Sequence, residues 1–174
     1  GPVTRPDLPV IRGHRALSFL ELMELRVVAQ LRLKGISLQQ IREAARIARE
    51  VLGTKHPFAS RRIFTDRKRI LTYLDAPPAE FAMVELHPRT VDQLIVGPLL
   101  EPLLEDLDFE EESGIAQRWW PLGKKYPIVL DPEVSFGAPT VVGTRVRTEV
   151  VAGMAEEDSL AATATAFELQ SSEI

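Results

Sequence analysis

The residues of this 174-residue chain with the most chemical potential are three histidines and a run of acidic residues. His14, His56 and His87 are isolated in sequence, and none stands at metal-ligand spacing. No nucleophile elbow, phosphate-binding glycine loop or zinc-helix motif is present. The acidic run at residues 105–112 could hold a divalent cation or form a solvated loop. We therefore expect no enzyme activity, metal or cofactor; the alternative is a hydrolase or nuclease that uses the acidic run.

Charge is divided unevenly along the chain. Residues 1–69 hold 15 Lys and Arg against 6 Asp and Glu, whereas residues 70–174 hold 6 against 19. This asymmetry is typical of a protein that contacts a polyanion through one part and a basic partner through another. The alternative is that the two halves face each other or only keep the chain soluble. The consecutive Glu110, Glu111 and Glu112 are the predicted contact for a basic partner.

Two groups of basic and polar residues are candidates for binding DNA. One group surrounds a predicted hairpin, as in a wing that straddles a phosphate backbone; the alternative is an edge hairpin protected from aggregation by charge. The other group shares one face of a predicted helix, where Glu43 and Glu50 could neutralise it through ion pairs. The predicted DNA-binding residues are Gln39, Arg42, Arg46, Arg61, Arg62 and Lys68.

The elements that would position these residues begin with two helices. Ser18 with Glu21, and Ser37 with Gln40, have the spacing of capping boxes. They predict one helix that ends at Gly35 and a second that ends near residue 53. The first is apolar on most sides, which indicates a buried helix. The second carries a predicted apolar stripe of Leu38, Ile41, Ala45, Ala48 and Leu52.

The pattern then becomes that of strands. Residues 62–65 and 69–74 predict one hairpin, and residues 81–86 and 92–96 predict another. Residues 98–107 predict a short amphipathic helix, and strands are expected again at 117–120 and 127–130. The fold class is therefore α+β: an N-terminal helix pair, a small antiparallel β-sheet with hairpins, and a C-terminal strand plus helix–turn–helix module.

Residues 127–147 carry three turn signals in order. Asp131-Pro132 predicts one turn, and Gly137-Ala138-Pro139 a second. Gly143-Thr144-Arg145 predicts a corner in which Gly143 supplies backbone freedom and Arg145 is placed to pair with a carboxylate such as Asp131. Helices are expected over 148–154 and from Ser159 to residue 166, with a third beginning at residue 171. The predicted structural motif consists of Asp131, Gly137, Pro139, Gly143, Thr144 and Arg145.

From about residue 126 to 174 the chain resembles a bacterial and archaeal family of small proteins, formerly of unknown function, marked by these turns and a following helix–turn–helix. Its members look like VapB-type antitoxins encoded beside PIN-domain ribonuclease toxins. The segment after the first helix, residues 35–43, is similar to the helix pair that follows the winged helix in MerR-type regulators. The resemblance implies an antitoxin that neutralises a PIN-domain toxin and represses its own operon as a DNA-binding homodimer; a MerR-like regulator without a toxin is the alternative.

The expected organisation has three parts. Residues 1–16 are a tag remnant and extended arm, residues 17–125 are the MerR-like helix pair with its sheet, and residues 126–174 are the antitoxin-type module, incomplete at its C-terminus. The resemblance also implies a DNA-reading domain on the N-terminal side of the helix pair, beyond residue 1. Cysteine is absent, no signal peptide is evident and no apolar run is long enough to span a membrane, so we expect a cytoplasmic protein.

Overall fold

Helices and small antiparallel sheets occur together in this chain, so the predicted α+β class is confirmed. The computed structural model describes residues 3–65, 68–73, 83–90, 94–95, 101–102 and 104–167. The N-terminal unit comprises Gly1–Glu105 and Glu111–Ala116, and the C-terminal unit comprises Asp106–Glu110 and Gln117–Ile174. Within the described residues, no helix is both long and apolar enough to cross a membrane.

The N-terminal arm is partly folded. Strands β1 (Val10–Ile11) and β2 (His14–Arg15) pair in an antiparallel hairpin. Between them, Arg12 and Gly13 both have positive φ, which makes a tight turn. Within the expected extended arm, a two-residue turn therefore brings the chain back on itself.

The two N-terminal helices begin and end at the residues that their caps predict. Helix α1 spans Phe19–Leu33 and helix α2 spans Leu38–Leu52, and both capping boxes are formed. The Ser18 and Ser37 side chains each accept a hydrogen bond from the third backbone N–H of their helix. Gly53 ends α2 in the left-handed conformation, with φ of 63°.

The buried residues of α1 and α2 form the core beside these helices. Met23, Val27 and Leu31 of α1 are fully buried, but Leu25 is exposed and Leu33 is 88% exposed. Two carboxylates of the same helix, Glu21 and Glu24, are buried instead. The prediction of a helix buried on most sides is confirmed, since only one stripe of α1 is exposed, formed by Leu25, Ala29, Arg32 and Leu33. On α2 the inner residues of the predicted stripe are buried, whereas its two ends, Leu38 and Leu52, are not.

A five-stranded antiparallel sheet completes the N-terminal unit. Its strands are β3 (Ile63–Thr65), β4 (Ile70–Tyr73), β5 (Met83–Glu85), β6 (Leu94–Ile95) and β7 (Glu101–Pro102), in the spatial order β6-β5-β4-β3-β7. Both predicted hairpins are confirmed by the pairing of β3 with β4 and of β5 with β6. A short 3₁₀ helix, Pro57–Ala59, packs against α1 and α2 and buries Phe58 completely.

The predicted helix at residues 98–107 was wrong. Glu101–Pro102 is edge strand β7, which pairs with β3 through Thr65 and Phe64. Pro102 has no N–H to donate within a helix, but an edge strand tolerates it. Leu107 belongs to the next strand, β8. Leu104 and Leu107 are both buried outside any helix, and residues 98–100 and 103 of the predicted helix lie outside the described residues.

The C-terminal unit contains two short sheets and two helices. Strands β8 (Leu107–Phe109) and β9 (Ala116–Trp119) form one sheet, and β10 (Ile128–Val129) and β11 (Thr140–Val141) form the other. Helices α3 (Thr148–Glu157) and α4 (Leu160–Ala166) follow, and the Ser159 side chain caps α4 as predicted. The predicted third helix, from residue 171, lies outside the described residues.

Candidate functional site

The Asp131-Pro132 turn is held by the Asp131 carboxylate. Its Oδ1 accepts a hydrogen bond from the Glu133 N–H at 2.9 Å, and its backbone oxygen accepts one from the Val134 N–H at 3.0 Å. Asp131 is only 5% exposed. A side chain that bonds the backbone two residues ahead is the usual way in which aspartate closes such a turn. This part of the predicted motif is confirmed.

The charged partner of Asp131 differs from the predicted one. Arg118 Nε of strand β9 donates to Asp131 Oδ2 at 2.7 Å, and no such bond joins Arg145 to Asp131. This hydrogen bond is the main reason that the pKa of Arg118 is raised. The prediction of an Arg145–Asp131 pair was wrong because the bridge between Trp119 and Leu130 brings β9 beside the turn. No local spacing connects position 118 with position 131, so sequence patterns carry no signal for this contact.

The Gly143-Thr144-Arg145 corner is formed as predicted. Gly143 has φ of 81° and Arg145 has φ of 60°, so both are left-handed. Between them, Thr144 Oγ1 donates to the Val141 carbonyl at 2.9 Å and accepts from the Val146 N–H at 3.0 Å. A bond from the Thr148 N–H to the Pro139 carbonyl then joins the second turn to the start of α3. The motif residues therefore build one local structure that leads into the helix pair.

A cavity of about 460 Å³ lies beside this motif. Trp120, Val129 and Val141 contribute apolar surface to it, and Arg118 and Arg145 contribute guanidinium groups. Its size is within the range of sites that bind small molecules or a partner's side chains. Sequence reasoning did not find this cavity, because β9, β10 and the corner meet only in the folded unit.

Two aspartates of the acidic run hold the tryptophans in place. Trp119 Nε1 donates to Asp106 Oδ2 and Trp120 Nε1 donates to Asp108 Oδ2, both at 2.9 Å. Lys124 Nζ also contacts Asp108 Oδ1, at 2.7 Å. Burial acts to raise the pKa of Asp108, but the hydrogen bonds from Lys124 and Trp120 outweigh it, so the pKa is lowered. These contacts favour a structural role for the aspartates over the catalytic alternative.

The predicted partner-contact residues Glu110, Glu111 and Glu112 are all exposed. In the N-terminal unit, the Arg61 guanidinium donates to the Glu111 carbonyl at 3.0 Å. Arg61 also lies against Gly114, where an added Cβ would approach the Arg61 Nε to 3.0 Å. Arg61, predicted to contact DNA, is therefore engaged in holding the end of the acidic run and the turn at Gly114.

The other predicted DNA-binding residues lie on two elements of the N-terminal unit. Gln39, Arg42 and Arg46 are exposed on α2. Arg46 forms an i,i+4 ion pair with Glu50 at 3.1 Å, as anticipated from their spacing. Near the strands, Arg62 is half-buried before β3, whereas Lys68 is exposed before β4. Lys68 and Gln40 line a common small recess, so the β3–β4 hairpin lies close to the beginning of α2.

A buried polar cluster in the N-terminal unit was missed at the sequence level. Glu24 Oε2 lies 3.2 Å from His56 Nδ1, and His56 Nε2 lies 3.0 Å from Asp7 Oδ1. Asp7 also accepts hydrogen bonds from the Ser18 hydroxyl and the Lys55 ammonium. Burial raises the pKa of Glu24. Sequence patterns carry no signal for this cluster, because its members come from the arm, from α1 and from the segment after α2.

The pKa of Asp7 is lowered to about 2. Burial alone would raise it, but the hydrogen bonds from Lys55, Ser18 and His56 outweigh that effect. The cluster therefore fastens the N-terminal arm to the helix pair. Among the described residues, no group of three His, Asp or Glu side chains has the arrangement of a metal site.

The fold has a counterpart among solved structures. The chain is similar to the X-ray structure of Rv2018 from Mycobacterium tuberculosis, with a TM-score of 0.62 over 95% of this chain and 80% of that one. The two sequences are 18% identical, so the similarity concerns the fold alone. No family model and no curated protein matches the sequence.

Proposed function

We propose that this protein is the antitoxin of a type II toxin–antitoxin system. It binds and neutralises a PIN-domain ribonuclease and, as a DNA-binding homodimer, represses its own operon. The observation that supports this most is the motif of residues 131–145. Its turns and corner form one hydrogen-bonded structure that leads directly into a helix pair, which is the arrangement expected of the VapB-type family that the sequence resembles.

Neutralisation by this chain requires no chemistry of its own. A ribonuclease that binds RNA has a basic face, and carboxylates that occupy this face exclude the substrate by competition. Glu110, Glu111 and Glu112 supply three consecutive exposed carboxylates. Asp106 and Asp108 are half-buried, so the three glutamates are the consecutive accessible carboxylates of the run.

Co-expression with the product of the adjacent gene tests this proposal. We expect a complex that co-purifies and restores growth, and we expect Glu110, Glu111 and Glu112→Lys to weaken it, mainly by slowing association at low salt. The matched control changes Glu149, Glu156 and Glu157 of α3 to Lys, which alters the charge equally. A greater loss in the control would move the contact to the C-terminal helices. Failure to bind any neighbouring gene product would overturn the proposal.

DNA binding is assigned to the exposed face of α2. If Arg42 and Arg46 contact phosphates, the affinity for DNA falls as salt rises. The slope of the logarithm of the binding constant against the logarithm of salt concentration is about −0.9 per contact. Arg42→Glu with Arg46→Glu should therefore weaken binding to all sequences and reduce that slope. Lys125→Glu, which changes an exposed cation of the C-terminal unit, is the control. An unchanged slope in the α2 variant would remove this face from the DNA interface.

A MerR-like regulator without a toxin is the second candidate. The capped pair α1–α2 with an exposed basic face favours it, since such a pair supports DNA binding in that class of regulator. The two candidates differ in one result. The regulator binds its promoter but forms no complex with a neighbouring ribonuclease, whereas the antitoxin does both.

A further inference from the structure

The C-terminal unit presents an aromatic side chain that its own fold does not use. Phe136 is 97% exposed. Its backbone is left-handed, with φ of 58°, and it stands between Ser135 at 48° and Gly137 at 77°. A bulky residue in this region is strained, and such strain concentrates at functional positions. The loop is held in place by a bond from Ser135 Oγ to the Arg145 carbonyl at 3.1 Å.

The same loop forms part of the wall of the cavity beside the motif. Val134, two residues before Phe136, lines the cavity, and so does Val142, which is 43% exposed. An apolar cavity of about 150 Å³ accommodates a benzene ring. The cavity of about 460 Å³ therefore has room for a phenylalanine side chain. Phe136 of the same chain does not occupy it, because its ring is in solvent.

The charges around the cavity are self-complementary. Arg145 and Glu133 both line it and both are exposed; Glu133 also attracts Arg118 of its own chain, whose ion pair is with Asp131. In a dimer with two-fold symmetry, each contact occurs twice with the roles exchanged. Arg145 of one copy can therefore meet Glu133 of the other, while a guanidinium of Arg118 or Arg145 lies over the inserted ring.

We propose that Phe136 of one copy inserts into this cavity of a second copy, which returns its own Phe136 in the same way. An aromatic side chain buries about 150–250 Å² on insertion. A stable interface buries about 1,200–2,000 Å² in total, so the two rings supply its anchors and the surrounding residues supply the rest. This surface would join the two copies of the homodimer that the proposed function requires. The inference rests on the proposed function only in that requirement.

Sedimentation velocity of the whole chain over micromolar concentrations tests the insertion. The unmodified chain should dimerise, and Phe136→Ala should weaken the dimer about tenfold or more. Phe136→Gly should do the same, and it excludes strain as the cause because glycine accepts positive φ. Leu33→Ala, which truncates an 88% exposed side chain of the N-terminal unit, is the control and should have no effect.

A mixing experiment tests reciprocity. Val142→Trp should block the cavity, so this variant and Phe136→Ala should each be largely monomeric. Mixed together they should form a heterodimer, since the open cavity of one can receive the Phe136 of the other. The chain has no cysteine, so Phe136→Cys mixed with Val142→Cys should also give a disulfide-linked pair, whereas Phe136→Cys mixed with Leu33→Cys should not.

Three results would overturn the proposal: a monomeric unmodified chain, a dimer that survives loss of the Phe136 ring, or cross-linking no greater than in the control. A monomeric chain would also count against the proposed operon repression by a homodimer, whereas the other two results would overturn the insertion alone and leave the antitoxin proposal standing.

Discussion

The Arg118–Asp131 ion pair allows a direct comparison of two arginines at the same cavity. Arg118→Gln and Arg145→Gln each remove a guanidinium group from its lining, but only Arg118 is bonded to Asp131. Without Arg118, Asp131 keeps its bond from the Glu133 N–H and loses the partner of Oδ2. A buried carboxylate with an unpaired oxygen is destabilising because neither water nor protein solvates it fully.

The expected size of the effect follows from the burial of the two partners. A hydrogen bond to a charged group contributes about 1.5–3 kcal/mol, and breaking a fully buried ion pair costs about 3–5 kcal/mol. The Arg118 side chain is 47% exposed, so solvent screens the pair and the lower range applies. We expect Arg118→Gln to lower the free energy of unfolding by about 1.5–2.5 kcal/mol. Arg145→Gln should change it by less than about 0.5 kcal/mol.

Urea unfolding followed by tryptophan fluorescence measures this difference. Both tryptophans of the chain, Trp119 and Trp120, belong to the C-terminal unit, so the signal reports on the unit that is perturbed. Asp131→Asn is a further control, since it removes the charge but retains an oxygen that can accept from Glu133. Equal losses in the two arginine variants would refute the assignment of Arg118 as the partner of Asp131.

Three further predictions concern single positions. Gly143→Ala should lower the free energy of unfolding by about 1–2 kcal/mol through its backbone conformation alone, since an added Cβ meets nothing within 4 Å. Gly153→Ala in helix α3 should instead raise the free energy of unfolding by about 0.5–1 kcal/mol. Urea titration of both variants checks this, and a neutral Gly143→Ala would contradict it. Phe58→Ala should lower the free energy of unfolding by about 3–5 kcal/mol, because Phe58 is fully buried between helices. Unfolding followed by circular dichroism measures this change. The charged Asp7 stabilises the folded chain above its unfolded pKa near 3.8, and this stabilisation disappears as pH falls towards its folded pKa of about 2. Asp7→Asn should therefore be less stable than the unmodified chain at pH 6, and the difference should shrink as pH falls towards 2. A stability difference between Asp7→Asn and the unmodified chain that stays constant from pH 6 to pH 2 would contradict this account.

Much of the local structure was predictable because its causes are local. The serine–glutamate and serine–glutamine spacings define where α1 and α2 begin, since each cap bonds backbone groups within one turn. Glycine at positions 53 and 143 marks a left-handed residue, because only glycine adopts positive φ without strain. The order of turns around Asp131 likewise follows from residues within a few positions of one another.

The predictions of local structure that the fold contradicts failed where a distant partner decides the outcome. The leucines near residue 104 have helical spacing, but pairing with β3 makes Glu101–Pro102 a strand. Glu24, for which no prediction was made from the sequence, is buried because His56 and the Phe58 N–H bond its carboxylate.

Residue patterns were sufficient to define the α+β class, both capped helices, and the turns and corner of the C-terminal motif. Contacts between distant segments, visible only in the folded chain, pair Arg118 with Asp131, hold the tryptophans against the aspartates of the acidic run, and fasten the arm through Asp7. The difference lies in the range of the interactions. Caps and turns are closed by bonds across a few residues, whereas ion pairs and cavities depend on which strands the completed fold brings side by side.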